Sequence, residues 1–361
     1  MTFLPKYTIT KDILADLTKI EAVKNSFEDK PLSPVLLSSL HKTAKIAQSH
    51  YSTQIEGNRL SLKQVETTLY SANKTAKDYQ GHDEKEVKAY YNAINYMEKV
   101  LEDGGEFNEK LVQKIHSLVE NSQKIIPYRN EQNAIYDTSD GSLVYLPPET
   151  KDVPVMMKDL ITWVNENIDK LPTPIVASLF HYQFVTIHPY FDGNGRTARL
   201  MTNYIMRKFG YGLKGIYSLE EYYAKNLKDY YQALATHPHH NYYYGRHEAD
   251  LTSWVEYFIK GVATSFENIN IKAEEQQNVG IKDISPALRK LDIKQRKILE
   301  LFVEFEEITS NQAGAYLNLS SQSARLLLNK WVDVGFLCVA NKARKIRTYG
   351  LSKEYEELLM K

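Results

Sequence analysis

Cysteine is nearly absent: Cys338 is the single thiol in 361 residues. One thiol cannot close an internal disulfide and gives no basis for a Cys-based metal site, which fits a reducing compartment. Net charge is absent too, since 45 Lys and Arg balance 45 Asp and Glu. No global field therefore draws the molecule to nucleic acid or to an anionic membrane, and any basic surface must be local. Long apolar runs are missing: no stretch approaches the roughly 20 residues that span a bilayer, and MTFLPKYTITKDIL lacks a basic segment followed by an apolar one. The expectation is a soluble cytoplasmic protein with no membrane partner. Internal repeats and low-complexity tracts are lacking as well. Tyrosine is plentiful, at 26 residues, but pairs such as Tyr90-Tyr91, Tyr222-Tyr223 and Tyr230-Tyr231 pack core edges more often than they touch ligands. The length predicts two domains.

Apolar residues recur at helical spacing through most of the first three quarters, as in Leu111, Ile115, Leu118 and Val119, and again in Leu251, Trp254, Val255, Phe258 and Val262. The clearest interruption is PYRNEQNAIYDTSDGSLVYLPPE, where Pro127 and Pro147-Pro148 bracket two extended runs joined by Asp140-Gly141. That pattern predicts a β-hairpin projecting from a helical body. After Phe266 the periodicity fades through NINIKAEEQQNVGIKDISP to Pro286, which reads as a linker or the end of a long helix. Beyond it come three helix-like stretches, Ile293 to Phe305, Thr309 to Leu317 and Ser320 to Val334, the last two opening with hydroxyl caps. A strand-like Phe336 to Val339, a basic turn and Thr348 to Leu351 complete the order of a winged helix-turn-helix.

The segment IHPYFDGNGRTARL carries the most chemistry. Gly193 and Gly195 let the backbone turn tightly and bring N–H groups close to an anion, and a helix starting near Arg196 would point its positive end at the same spot. Arg196 and Arg199 suit phosphate oxygens, and Asp192 offers a hard oxygen to Mg²⁺, which needs phosphate partners to be well held. His188, four residues before Asp192, has an ordinary pKa of about 6.5 that suits a base taking the proton of an attacking hydroxyl. GNGRTA also fits the G-x-G-x-x-A dinucleotide fingerprint, but that motif requires a preceding strand, and PIVASLFHYQFVTI reads as a helix.

The run HPYFDGNGRTAR resembles the Fic motif H-P-F-x-D/E-G-N-G-R-x-x-R at every fixed position except the aromatic, where Tyr190 replaces Phe. The resemblance extends over roughly residues 30 to 260. It implies a mainly α fold with a Fic-type helical core, a β-hairpin flap and nucleotidyl transfer, most often of AMP from ATP. By position it implies His188 as the base, Asp192 as the Mg²⁺ ligand, Gly193, Asn194 and Gly195 as the phosphate cradle, Arg196 for the β-phosphate and Arg199 for the γ-phosphate. Asn226 and Tyr231, in SLEEYYAKNLKDYYQAL, resemble positions lining the nucleoside pocket, and a helix-packing role for both stays open. Tyr190 keeps the ring that anchors the loop, but its hydroxyl then needs a partner.

Upstream, STQIEGN reads by itself as a helix stopped by Gly57. Beside a Fic-like core it resembles the family's inhibitory motif S/T-x-x-x-E-G/N, with Ser52, Glu56 and Gly57 in the fixed places. Glu56 would then pair with Arg199 and leave the ATP α-phosphate wrongly seated for attack. The chain thus divides into a helical region with the inhibitory motif (1–105), a Fic core (106–265), a linker or helix end (266–285) and a winged helix-turn-helix (286–361).

The implied function is an autoinhibited protein adenylyltransferase acting on a Ser, Thr or Tyr hydroxyl, self-modification included, with ATP as substrate and Mg²⁺ as cofactor. AMP removal by the same residues and a nucleotide-sensing transcriptional regulator are the alternatives. On the third C-terminal helix, Gln322, Arg325, Asn329 and Lys330 are expected opposite Ala324, Leu327 and Trp331, with Lys342, Arg344, Lys345 and Arg347 on the wing. Such a stripe suits a DNA backbone or a protein partner, the chain's own dimer mate included. His237, His239, His240 and His247 lack a recognised ligand spacing and read as a polar loop.

Overall fold

The structure, a computed structural model, describes residues 3–28, 30, 32, 34–70, 81–136, 140–279, 290–317, 319–341 and 347–359. Pro286 and the expected wing residues Lys342, Arg344 and Lys345 lie outside them. By internal contacts the chain divides into two units, 1–29 with 44–270 and 30–43 with 271–361.

The described residues are mainly helical. The first unit draws on α1 (Lys11–Glu28), the later turns of α2 (Pro34–Ile55), α3 (Leu62–Tyr70), α4 (His82–Glu102) and α5 (Glu109–Val119). After a two-stranded ribbon of β1 (Ile135–Tyr136) and β2 (Leu143–Tyr145) come α6 (Val153–Asn167), α7 (Thr173–Ile187) and α8 (Asn194–Lys208). The short α9 (Glu220–Lys225) and α10 (Leu227–Leu234) and the long α11 (Thr252–Val279) follow. α7 is the centre of this unit. It is buried all round, as a helix without a polar face must be, and it packs against both α6 and α8. Trp254 of α11 is fully buried and donates from its indole to the Ser178 carbonyl, 2.8 Å away. Burying an aromatic of that size contributes on the order of 2–3 kcal/mol. α5 starts where Asn108 accepts from the Leu111 N–H at 3.0 Å, an N-cap bond.

The ribbon is the hairpin expected from the sequence. Its strands are antiparallel, with Ile135 opposite Tyr145 and Tyr136 opposite Leu143, and a bulge between the pairs. Parallel pairing of Leu146 with the 240–242 segment covers its far side, Leu146 N–H donating to the His240 carbonyl at 2.8 Å. α11 runs unbroken through Phe266 to Val279, so this much of the expected linker is helix.

In the second unit, α12 (Ile293–Glu304), β3 (Ile308–Thr309), α13 (Ser310–Tyr316), α14 (Ser321–Asp333), β4 (Leu337–Asn341), β5 (Thr348–Leu351) and α15 (Lys353–Leu359) follow in order. The sheet is antiparallel with strand order β3-β5-β4. Ala324, Leu328 and Trp331 turn into a core with Ile298, Phe336 and Tyr349. Both hydroxyl caps form: Thr309 and Gln312 make a reciprocal capping box, and Ser320 accepts from the Ser323 N–H at 3.1 Å. Gln322, Arg325 and Lys330 are exposed, whereas Asn329 is half-buried and accepts from the Tyr349 hydroxyl at 3.0 Å. Leu327, expected in the core face, is only partly buried, its place there taken by Leu328.

Candidate active site

The site is the loop between α7 and α8. α7 ends at His188, whose φ of 50° and ψ of 60° lie in the left-handed region. α8 begins after Gly193, also left-handed at φ 71°. That conformation favours glycine, and a Cβ there would also displace the end of the Glu120 side chain. Asn194 fastens the turn: its Oδ1 accepts from the Tyr190 N–H at 3.0 Å and its Nδ2 donates to the Tyr190 carbonyl at 2.8 Å. The Asn194 side chain is thus committed within the loop, and its contribution toward a ligand is the backbone N–H at the helix start.

Tyr190 is buried and stacks on His116 with ring centroids 3.4 Å apart and planes 11° from parallel. Among the described residues its hydroxyl has no hydrogen-bond partner. His116 lies 3.1 Å from the Thr197 hydroxyl. Burial, with Arg196 nearby, pushes its pKa down to about 3, so the ring is neutral. From the far side Arg129 holds the loop, its Nε donating to the His188 carbonyl at 2.9 Å and its own N–H to the Pro189 carbonyl at 2.9 Å. The same guanidinium donates to the Pro148 carbonyl at the base of the ribbon.

The half-buried His188 ring has Nδ1 3.3 Å from the Val185 carbonyl. That contact fixes Nδ1 as the protonated nitrogen and leaves the Nε2 lone pair for chemistry. Burial, aided by Arg129, lowers the pKa to about 4 against the opposing pull of the Val185 carbonyl, Glu56 and Asp192. At neutral pH the imidazole is therefore unprotonated, the form a base requires.

Both arginines on the first turns of α8 are buried and face carboxylates. Arg199 donates from Nε to the Ser52 hydroxyl (2.9 Å) and from Nη2 to the Ser52 carbonyl (2.9 Å) and to Glu56 Oε1 (2.7 Å). Burial disfavours its charge most, yet Glu56, Tyr230 and Tyr90 together outweigh burial and hold its pKa above the ordinary arginine value. Arg196 meets three carboxylates: Glu86 at 2.7 Å, Glu120 at 3.1 Å and Asp192 at 3.2 Å. Burial raises the Glu120 pKa, Arg196 opposes this, and Asp192, Glu86 and Glu56 reinforce it.

Asp192 stands apart, its side chain 76% exposed. Its Oδ1 accepts from the Gly193 N–H at 2.6 Å. A single exposed carboxylate fits an ion such as Mg²⁺ that takes one or two protein carboxylates and completes its shell with phosphate and water. Among the described residues no group of three or more His, Cys, Asp or Glu is placed to hold a metal by itself. His240 and His247 instead face the Val144 and Tyr242 carbonyls, at 2.7 and 3.3 Å.

Of the two residues matched to a nucleoside pocket, Tyr231 is 50% exposed; burial, aided by Glu56 and opposed by Arg199, raises the pKa of its hydroxyl. Asn226 donates to the Tyr222 carbonyl at 2.8 Å, bridging α9 and α10. Glu86, Glu120, His116 and Arg129 are site residues that the sequence reading did not single out.

Residues 106–206 match the family model described as Fic/DOC family. This stretch is similar to Fic/DOC-family domains. Similar curated proteins named protein adenylyltransferase Fic include one from Culex quinquefasciatus, 30% identical over 179 residues. That alignment covers 48% of this chain and 34% of the relative. Another, from Nematostella vectensis, is 28% identical and covers 54% of this chain and 45% of the relative. The chain thus spans between a third and a half of the length of these relatives. Among solved structures, a Fic family protein from Desulfovibrio desulfuricans superposes with a TM-score of 0.60 at 23% identity, covering 97% of this chain and 99% of that one. A Fic domain containing signaling protein from Bacteroides thetaiotaomicron gives 0.59 at 21% identity, covering 75% of this chain and all of that one. At these identities the likeness is one of fold alone.

Proposed function

We propose that the chain is a protein adenylyltransferase that moves AMP from ATP to a Ser, Thr or Tyr hydroxyl of another protein, held back by Glu56. The observation that carries this reading is the convergence of an unprotonated His188, an exposed Asp192 and two buried arginines around the start of α8, with the Glu56 carboxylate on one of those arginines.

The geometry supports the following chemistry. His188 Nε2 takes the hydroxyl proton as the oxygen attacks the α-phosphorus. The bond from that phosphorus to the oxygen bridging the β-phosphate breaks, and pyrophosphate leaves with the electron pair. Backbone N–H groups at the start of α8 face the phosphates, and Arg196 offsets charge on the leaving group. Arg199 takes the γ-phosphate once Glu56 withdraws. Asp192 would hold Mg²⁺, whose charge would offset that of the phosphate oxygens. A pKa of about 4 makes the free imidazole a weak base; the negative phosphates brought in by ATP oppose the effect of burial and raise it.

The brake is supported by Gly195 as well. A Cβ there would lie 2.5 Å from Glu56 Oε1 and 3.0 Å from Arg199 Nη1, so the carboxylate sits against the backbone of the first turn. Incubation of the protein with labelled ATP, Mg²⁺ and cell lysate tests the reading. Label transferred to protein from the α-phosphate only when the protein is added is expected; no added α-label would overturn it.

We read the second unit as a winged helix-turn-helix that tracks a DNA backbone through the exposed Gln322, Arg325 and Lys330 of α14. Affinity of the full chain for duplex DNA should fall steeply with salt. No binding at low salt would favour a protein partner.

A further inference from the structure

The Glu56 brake leaves a second connection unused. The turn after Glu56 is tight, with N–H groups of Glu56 and Asn58 both returning to the Thr53 carbonyl at 3.0 and 3.1 Å and Gly57 at φ 99°. It brings the buried Asn58 onto the first turns of α4. Asn58 Nδ2 donates to the Asp83 carbonyl at 3.0 Å and to Glu86 Oε2 at 2.7 Å, and its Oδ1 accepts from the Leu60 N–H at 3.1 Å. The Arg59 N–H adds a bond to Asp83 Oδ2 at 3.1 Å. The other oxygen of Glu86, Oε1, lies 2.7 Å from Arg196 Nη1, both side chains being more than nine-tenths buried.

We infer that Glu86 is a positioning residue that ties Arg196 to the Gly57 turn, so that one turn governs both phosphate arginines: Arg199 directly through Glu56, and Arg196 through Asn58 and Glu86. The inference rests on the adenylyltransferase reading for the ligand Arg196 serves, and on the geometry for the link itself.

The two ends of the Arg196 guanidinium have different surroundings. Nη1 is taken by the buried Glu86, whereas Nη2 faces Glu120 and the exposed Asp192. An arginine loses rotamer freedom when it grips a ligand, and a buried ion pair on its inner nitrogen restricts that freedom beforehand. Glu86 therefore aims Nη2 at the side of the site where phosphates enter. Asn58 fixes Glu86 in turn, because a carboxylate with one oxygen bonded to a rigid turn cannot swing out with the arginine.

Nucleotide binding tests this without any transfer step. The full chain carrying Glu56→Gly, so that the brake does not interfere, is titrated calorimetrically with ATP, ADP and AMP, alone and with Glu86→Gln or Asn58→Ala. Glu86→Gln should weaken ATP and ADP at least fivefold and leave AMP within twofold, since Arg196 meets only the β-phosphate. Asn58→Ala should do the same to a smaller degree, and should add nothing in the Glu86→Gln background. Equal weakening of all three nucleotides marks Glu86 as a structural residue and overturns the inference. So does an unchanged ADP affinity, or an Asn58→Ala effect that persists without Glu86. A Glu56→Gly parent that binds none of the three overturns the adenylyltransferase reading itself, and this inference with it.

Discussion

Glu56 and Arg199 meet at 2.7 Å across 143 residues of chain, the arginine almost fully buried and the carboxylate 31% exposed. The solvent-facing partner is the one that can leave. Glu56→Gly is expected to raise AMP transfer, self-modification included, tenfold or more, a change of about 1.4 kcal/mol in the barrier. Adding Arg199→Ala should remove most of the gain. Transfer that is unchanged or lower in Glu56→Gly, with ATP still bound, would show the brake to be misassigned. Loss of AMP removal from a pre-modified target in that variant would support the reverse reaction.

His188→Ala should abolish transfer while ATP affinity, measured by calorimetry, stays within a few-fold. The imidazole acts on the attacking hydroxyl and touches no phosphate arginine. Turnover at the parental rate in the variant removes His188 from the mechanism.

Tyr190→Phe removes a buried hydroxyl that has no partner among the described residues while keeping the ring stacked on His116. Leaving a buried hydroxyl unpaired costs about 1–3 kcal/mol, so the change should be neutral or stabilise by about 1 kcal/mol. Denaturant unfolding measures it. A loss of more than about 1 kcal/mol would mean that the hydroxyl has a partner that holds the loop.

His116, His181 and His188 have pKa values lowered to about 3, 3 and 4, with burial the leading cause in each. The unfolded chain binds a proton at each below about 6.5, and the folded chain does not. Protonation therefore favours unfolding. Stability should fall as pH drops from about 6.5 toward 4, by up to about 1.4 kcal/mol per pH unit for each histidine. Urea melts between pH 7.5 and 5 read the slope. His181, fully buried between the Thr202 and Tyr230 hydroxyls at 3.3 and 3.0 Å, is the residue to replace: His181→Asn should flatten the slope by up to a third. An unaltered slope would mean that His181 titrates alike in both states.

The candidate loop was legible because its residues are contiguous: turn glycines, a histidine, an aspartate and two arginines fall within twelve residues. The ribbon was legible for a similar reason, its prolines and Asp140-Gly141 being local signals. Glu86, Glu120 and Arg129 carry no such signature. Each is an ordinary helix or loop residue until packing sets α4 and α5 against α8 and the ribbon base beside the loop. β3 escaped notice because two residues show no alternation. Past Phe266 the faces of α11 are mostly half-buried or exposed, so the helix continues without the apolar period that marks one.

Ser52 contributes two of the three bonds on Arg199, through its hydroxyl and its own carbonyl, and neither depends on Glu56. When the carboxylate departs, the guanidinium stays fastened by Nε and Nη2 with Nη1 toward the Gly195 backbone. On the proposed reading, release would expose an arginine whose conformational entropy was already lost in folding, and the nucleotide would meet a rigid receptor instead of a loose chain end.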